Sequence, residues 1–114
     1  MSYHTDRFYI YPYIEGGGRA SIAVEVDKET SIVMYGVAWC SPKDQFNRKK
    51  GRMIAEGRLM SGKGSAFLSN ARTRRELVAE VMVDIAAYLD EINAPQWVTA
   101  FEDQYSGRDL STAN

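Results

Sequence analysis

The chain has 114 residues, 45% of them hydrophobic and 25% charged, with a formal net charge of −1; this is the composition of a folded domain and excludes a wholly disordered one. A single cysteine, Cys40, excludes an internal disulfide, and with His4 as the only histidine the usual zinc ligand sets cannot be assembled within one protomer, so no metal is expected. The amino-terminal stretch is polar and charged through Arg7, which fits neither a signal peptide nor a membrane span.

In chain order, "FYIYPYI" (8–14) alternates Phe8, Ile10, Pro12 and Ile14 with Tyr9, Tyr11 and Tyr13, the period-two pattern of a strand, and Pro12 puts that strand at a sheet edge. "EGGGR" is a turn with positive-φ freedom, and "ASIAVEVDKE" is the returning strand. A third strand, "SIVMYGVAWC", is apolar almost throughout and is expected in the centre, covered on both faces.

The first helix is expected to start at Ser41 as N-cap, with Pro42 in the first turn and Asp44 completing a capping box and complementing the helix dipole. It should end near Gly62, with an apolar line of Phe46, Met53, Gly57 and Met60 and with Ile54 adjacent. "GKGS" is expected to connect two helices; as a phosphate-binding turn it would offer backbone N–H groups and Lys63. Thr73 and Glu76 form a second capping box, leading a helix through Leu77, Val81, Met82, Ile85, Leu89 and Ile92 that stops around Asn93, ahead of Pro95. "QWVTAFE" is a short strand or a final turn. The fold class is therefore α+β: a small antiparallel sheet of three to four strands packed with two helices. The whole chain, 1–114, forms a single domain with flexible ends at 1–6 and 107–114.

No nucleophile–base pair, carboxylate pair or metal cluster is visible, so the chain is not expected to be an enzyme. His4 is expected to be a solvated terminal residue, and Cys40, ending an apolar strand, a buried structural thiol. Charge is concentrated in the middle: Ser41 to Arg75 holds ten Lys or Arg against Asp44 and Glu56, whereas the remainder holds four cations against thirteen acids. Such asymmetry points to a local anionic partner.

Gly51 and Gly57 each weaken a helix by about 1 kcal/mol relative to alanine. Gly51 and Ala55 form a small-residue stripe fit for another backbone or a flat ligand, and Gly57 falls on the apolar line facing the protein's own sheet. Arg52 and Arg58 suit phosphate, since a guanidinium grips it at two points. Asn47 suits an amide or adenine edge, and Phe67 and Trp97 offer stacking surfaces.

The segment running from "GVAWC" through Ser41-Pro42-Lys43-Asp44, Phe46, Gly51-Arg52 and Gly57-Arg58 resembles a family of small phage-encoded anti-defence proteins. These are the sponges that antagonise Thoeris immunity by sequestering cyclic ADP-ribose signals made by TIR-domain proteins. The resemblance implies a compact antiparallel sheet with two helices, assembled as a dimer and in some members as a hexamer of three dimers. It further implies ligands held between protomers without chemical conversion, no cofactor, no membrane partner, and action in the cytoplasm of the infected bacterial host. Certain members also trap cyclic trinucleotides of the CBASS pathway in a separate site. Ligand contacts carry over to Arg52 and Arg58 alone; Lys43, Asn47, Phe67, Trp97 and Arg108 join the candidate site by side-chain type. Two other readings stay open. One is a single-stranded nucleic-acid-binding module using the Tyr9, Tyr11, Tyr13 stripe, which the acidic remainder of the chain disfavours. The other is a direct protein inhibitor of a host factor.

Overall fold

Residues 5–14, 17–89, 92, 94, 95 and 98 are described by a computed structural model of the chain. Four strands, β1 (Thr5–Ile10), β2 (Arg19–Asp27), β3 (Ile32–Cys40) and β4 (Ser65–Leu68), form one antiparallel sheet in the order β1-β2-β3-β4. Helix α1 (Arg48–Met60) precedes β4 in the chain and α2 (Arg74–Ala87) follows it. The fold is α+β, with one helix on each face of the sheet.

Alternation along the strands makes those two faces unlike. Ile22 and Val24 of β2 and Val33, Tyr35 and Val37 of β3 are buried in one cluster with Leu77, Val81, Met82 and Ile85 of α2. Each such side chain contributes about 2 kcal/mol by leaving water, so this face is the main core. The other face is built from small residues: Ala23 and Ala38 cluster with Ala55 and Leu59 of α1, with Tyr9 packed against them. There the helix lies unusually close to the sheet. A Cβ on Gly36 would fall 2.3 Å from the Ala55 carbonyl oxygen and 2.5 Å from the Leu59 nitrogen, and one on Gly51 would fall 2.1 Å from Ser21 Oγ.

Local signals place several boundaries as expected. The turn after Ile14 uses Gly17 and Gly18 at φ of 115° and 89°, where only glycine is unstrained. Thr73 caps α2, accepting from the Glu76 amide at 3.1 Å. Gly62, at φ 76°, ends α1 as Lys63 N–H donates to the Arg58 carbonyl at 3.0 Å, the pairing of a Schellman stop.

Other boundaries differ. β1 begins at Thr5 and ends at Ile10, since Pro12 has no N–H for the ladder; beyond it Tyr13 joins Arg19 through an isolated bridge. Asp6, within the stretch expected to be a flexible end, lies in β1 and accepts from Arg74 at 2.9 Å. α1 starts at Arg48, capped by Asn47, whose Oδ1 accepts from Lys50 N at 3.0 Å. Ser41–Asp44 is instead a turn, closed by Asp44 N–H on the Ser41 carbonyl and by Lys43 N–H on Ser41 Oγ. β4 occupies a stretch expected to be a plain connector. α2 ends at Ala87, short of Asn93.

The expected apolar line of α1 is reversed. Met53 and Met60 are 63% and 75% exposed, and a Cβ on Gly57 would meet nothing within 4 Å. The buried line runs through Ala55 and Leu59, with Gly51 against Ser21. Thus Gly51 serves packing onto the protein's own sheet, and Gly57 does not.

Candidate functional site

The loop from Ser41 to Asn47 leaves the end of β3 and folds back onto the amino end of α1, enclosing a cleft of about 470 Å³, within the range of small-ligand sites. Its floor is small, made of Ser21, Ala38 and Gly51. Trp39, Phe46 and Ile54 supply apolar wall. Gln45, Asn47 and Lys50 bring polar groups to the rim, with Asp44 as the one carboxylate among them. Cys40 lines the cleft half-buried, its thiol 3.7 Å from the Ser41 carbonyl and 3.8 Å from that of Asp44; it is thus less enclosed than a strand-end core thiol should be.

The electrostatics of this cleft come from where α1 starts. Its first three residues are Arg48, Lys49 and Lys50, and no acidic residue lies in its first turn. Three cations thus stand at the positive pole of the helix, each unfavourable by a few tenths of a kcal/mol. Asp44, which a helix starting at Ser41 would have placed in the first turn, lies outside it. Anionic charge bound beside Lys50 would offset this repulsion.

A second arrangement runs along β1 and the segment that follows it. Arg52 lies 5.5 Å from the Tyr9 ring centroid, Arg48 4.4 Å from that of Tyr11, and Arg19 4.1 Å from that of Tyr13. The tyrosine stripe seen in the sequence is therefore a ladder of arginine–tyrosine stacks. At its foot Tyr9 donates its phenol hydrogen to Glu56 at 2.7 Å, and Arg7 bridges Glu25 at 2.8 Å and Glu56 at 3.3 Å. The Tyr9 hydrogen bond, assisted by Arg7, holds the Glu56 carboxyl below its ordinary 4.5, and the same bond raises the Tyr9 phenol. A depressed carboxyl stabilises the fold above its unfolded value, and the contribution is lost as the pH falls through the lowered folded one. Protection of the β1 amides, taken relative to their intrinsic exchange rate at each pH, should therefore fall as the pH drops below 4.5, and Glu56→Gln should remove that acid limb; protection that ignores both changes would discount this anchor.

Among the described residues, those expected to form a site are not gathered in one place. Arg52 and Arg58 project to opposite flanks of α1: Arg52 over Tyr9 of β1, and Arg58 to β3, where Nη1 donates to the Val37 carbonyl at 2.6 Å. Neither lines the cleft. Asn47 does line it, but its oxygen is committed to the helix cap. Lys43 is exposed on the Ser41–Asp44 turn, outside the cleft. Phe67 packs from β4 into the α2-side core, 6.4 Å from the Tyr35 ring, so it is a core residue on the far face of the sheet. Trp97 and Arg108 lie outside the described residues, as does His4.

Sequence reasoning did not place Lys50 or Arg19 in the candidate site. The available signal was Asn47 itself, a favoured N-cap residue that competed with Ser41.

Among the described residues no group of three or more His, Cys, Asp or Glu could hold a metal ion, and no helix is long and apolar enough to cross a membrane. Comparison of the chain with protein-family models, with curated proteins and with solved structures found no match.

Proposed function

We propose that this protein is an anti-defence sponge that captures a compact, phosphate-bearing nucleotide of the cyclic ADP-ribose class and holds it without cleaving it. The observation that carries the reading is the cleft of about 470 Å³ beside a helix whose positive pole bears Arg48, Lys49 and Lys50 without a first-turn acid. Phosphate oxygens there would accept charge-assisted hydrogen bonds from Lys50 and relieve the repulsion among the three cations. Sequestration needs only slow release, and nothing in this reading requires a catalytic group. The same proposal places the protein in the cytoplasm of an infected bacterial host and takes cyclic oligonucleotides as further ligands.

A homo-oligomer, a dimer or a hexamer, belongs to the reading. Its support is the large apolar side chains left exposed, Met53 and Met60 on α1 and Met34 and Leu68 on β3 and β4, the last two 39% and 69% exposed. A contact between protomers would take such side chains out of water.

The test is capture. The purified protein is incubated with cyclic ADP-ribose isomers from a TIR-enzyme reaction, desalted and heated, and the released molecules are weighed by mass spectrometry. Intact ligand is expected, from a particle whose mass in sedimentation is a multiple of 12.8 kDa. Lys50→Ala should retain about ten-fold less, the equivalent of about 1.4 kcal/mol. Arg52→Ala and Arg58→Ala should stay close to the parent. If the two arginine variants fail to capture while the lysine variant succeeds, the site lies on the flanks of α1; if the parent retains nothing, the reading falls.

The arginine–tyrosine ladder favours a second reading, a binder of single-stranded nucleic acid whose bases enter between the stacks. Salt separates the two. A polyanion binder loses affinity steeply as salt rises, whereas a cleft for one dinucleotide loses little.

A further inference from the structure

Phe46 is braced from outside the cleft it lines. The centre of the Arg19 guanidinium lies 4.2 Å from the Phe46 ring centroid and 4.1 Å from that of Tyr13, so the cation is layered between two rings. Arg19 is not among the residues lining the cleft; the ring meets the cleft with the surface that Arg19 leaves uncovered. Tyr11 meets Phe46 edge-on at 6.2 Å and 72°, and Arg19 is tied to the same place by donating from Nη2 to the Tyr11 carbonyl at 2.8 Å. Arg19 Nε is buried without a hydrogen-bond partner among the described residues. Leaving such a donor unsatisfied is unfavourable, so the two ring contacts, together with the single bond from Nη2 to the Tyr11 carbonyl, account for the position of this guanidinium.

Holding a loop phenylalanine in this way has a chemical consequence. A side chain from an irregular segment would ordinarily keep its rotamer freedom and lose it on binding; Phe46 has already lost it. A cation against one part of the π system also draws electron density from the rest, which improves stacking with an electron-rich heterocycle. Lys50 lines the same cleft, so a charged end and an aromatic platform are available to one ligand.

We propose that Phe46, positioned by Arg19, is the base-stacking residue of the cleft, and that the cleft selects a purine nucleotide over bare phosphate. The proposal rests on the nucleotide-capture reading and adds which end of the ligand meets which residue: phosphates at Lys50, the base on Phe46. Arg19 touches no ligand and acts as a positioning residue.

The experiment is a calorimetric titration of the full chain with adenosine diphosphate and, separately, with pyrophosphate. The parent should bind the nucleotide about ten- to a hundred-fold more tightly than pyrophosphate, the gain expected of one stacked base. Phe46→Leu should abolish that preference while leaving pyrophosphate affinity within about two-fold. Phe46→Tyr should keep the preference, and Arg19→Met should shrink it without changing pyrophosphate binding, a split that a merely destabilised fold would not produce. Equal affinity of the parent for the two probes, or a preference that survives Phe46→Leu, overturns the stacking proposal and leaves phosphate capture standing. Binding of neither probe overturns the capture reading and this proposal together.

Discussion

Gly36→Ala is expected to lower the melting temperature by about 12 °C. The added methyl would sit 2.3 Å from the Ala55 carbonyl oxygen and 2.5 Å from the Leu59 nitrogen, and both are backbone atoms of α1. A flexible side chain could turn away, but a helix can only lift as a whole, and lifting it opens the contact among Ala23, Ala38, Ala55 and Leu59. Overpacking of this kind costs about 3 kcal/mol, at the upper end of its usual range, and each kcal/mol lowers the midpoint of a domain this size by about 4 °C. The control is on the same helix. Gly57→Ala meets nothing within 4 Å, so it should stabilise by about 0.8 kcal/mol through helix propensity alone. If thermal unfolding followed by circular dichroism gives the two variants similar midpoints, α1 does not lie on Gly36 as described.

Tyr35→Phe is expected to cost about 2 kcal/mol, the value of a hydrogen bond to a charged acceptor. Tyr35 is fully buried on β3, and its phenol donates to Asp84 of α2 at 2.6 Å, so this one bond ties the central strand to the helix across the main core. Burial, and then the bond to Asp84, raise the phenol far above its ordinary 10.0. The sign follows from proton counting. Above pH 10 the unfolded chain releases this proton while the folded chain keeps it, so stability is full below that pH and falls as the pH rises past it. Denaturant titrations across the alkaline range should therefore show a slope that Tyr35→Phe reduces. An unchanged alkaline slope in the variant would mean that Tyr35 does not keep its proton.

The two glycines of α1 show what kind of information decides each feature. Gly51 and Gly57 are both helical, both flanked by charge, and six residues apart, which places them on different faces. The sequence marked Gly51 and Ala55 as a stripe for close approach but put Gly57 on the line facing the sheet, because Phe46, Met53 and Met60 made the more hydrophobic line. The face that lies on the sheet is the one with the least bulk. Ser21, Gly36 and Ala38 admit only a thin helix surface, so Gly51 and Ala55 go down and the methionines stay outside. Bulk on a single helix signals burial only when the opposing surface has room for it.

A similar limit applies to the candidate site. Arg52 and Arg58 read as a pair in the chain, yet they part to the two sides of α1 because β1 and β3 flank β2 and each offers one partner, the Tyr9 ring and the Val37 carbonyl. Phe67, which alternation on a short strand directs into the α2-side core, was unreadable because four residues between glycine and serine carry too little pattern to mark a strand.

The sequence by itself determined the α+β class, the central β3, the glycine turn after Ile14, the capping of α2 by Thr73, the stop of α1 at Gly62 and the concentration of positive charge near the middle of the chain. Each depends on residues within a few positions of one another, whose backbone geometry and hydrogen bonds are settled locally. Only the tertiary structure decided where α1 begins, which of its faces meets the sheet, and that Lys50 and Phe46 line one cleft, with Arg19 stacked against Phe46, while Arg52 and Arg58 do not line it. Those outcomes turn on contacts between segments distant in the chain, above all the small residues of β2 and β3 beneath α1, and no local period encodes the depth to which a helix sinks.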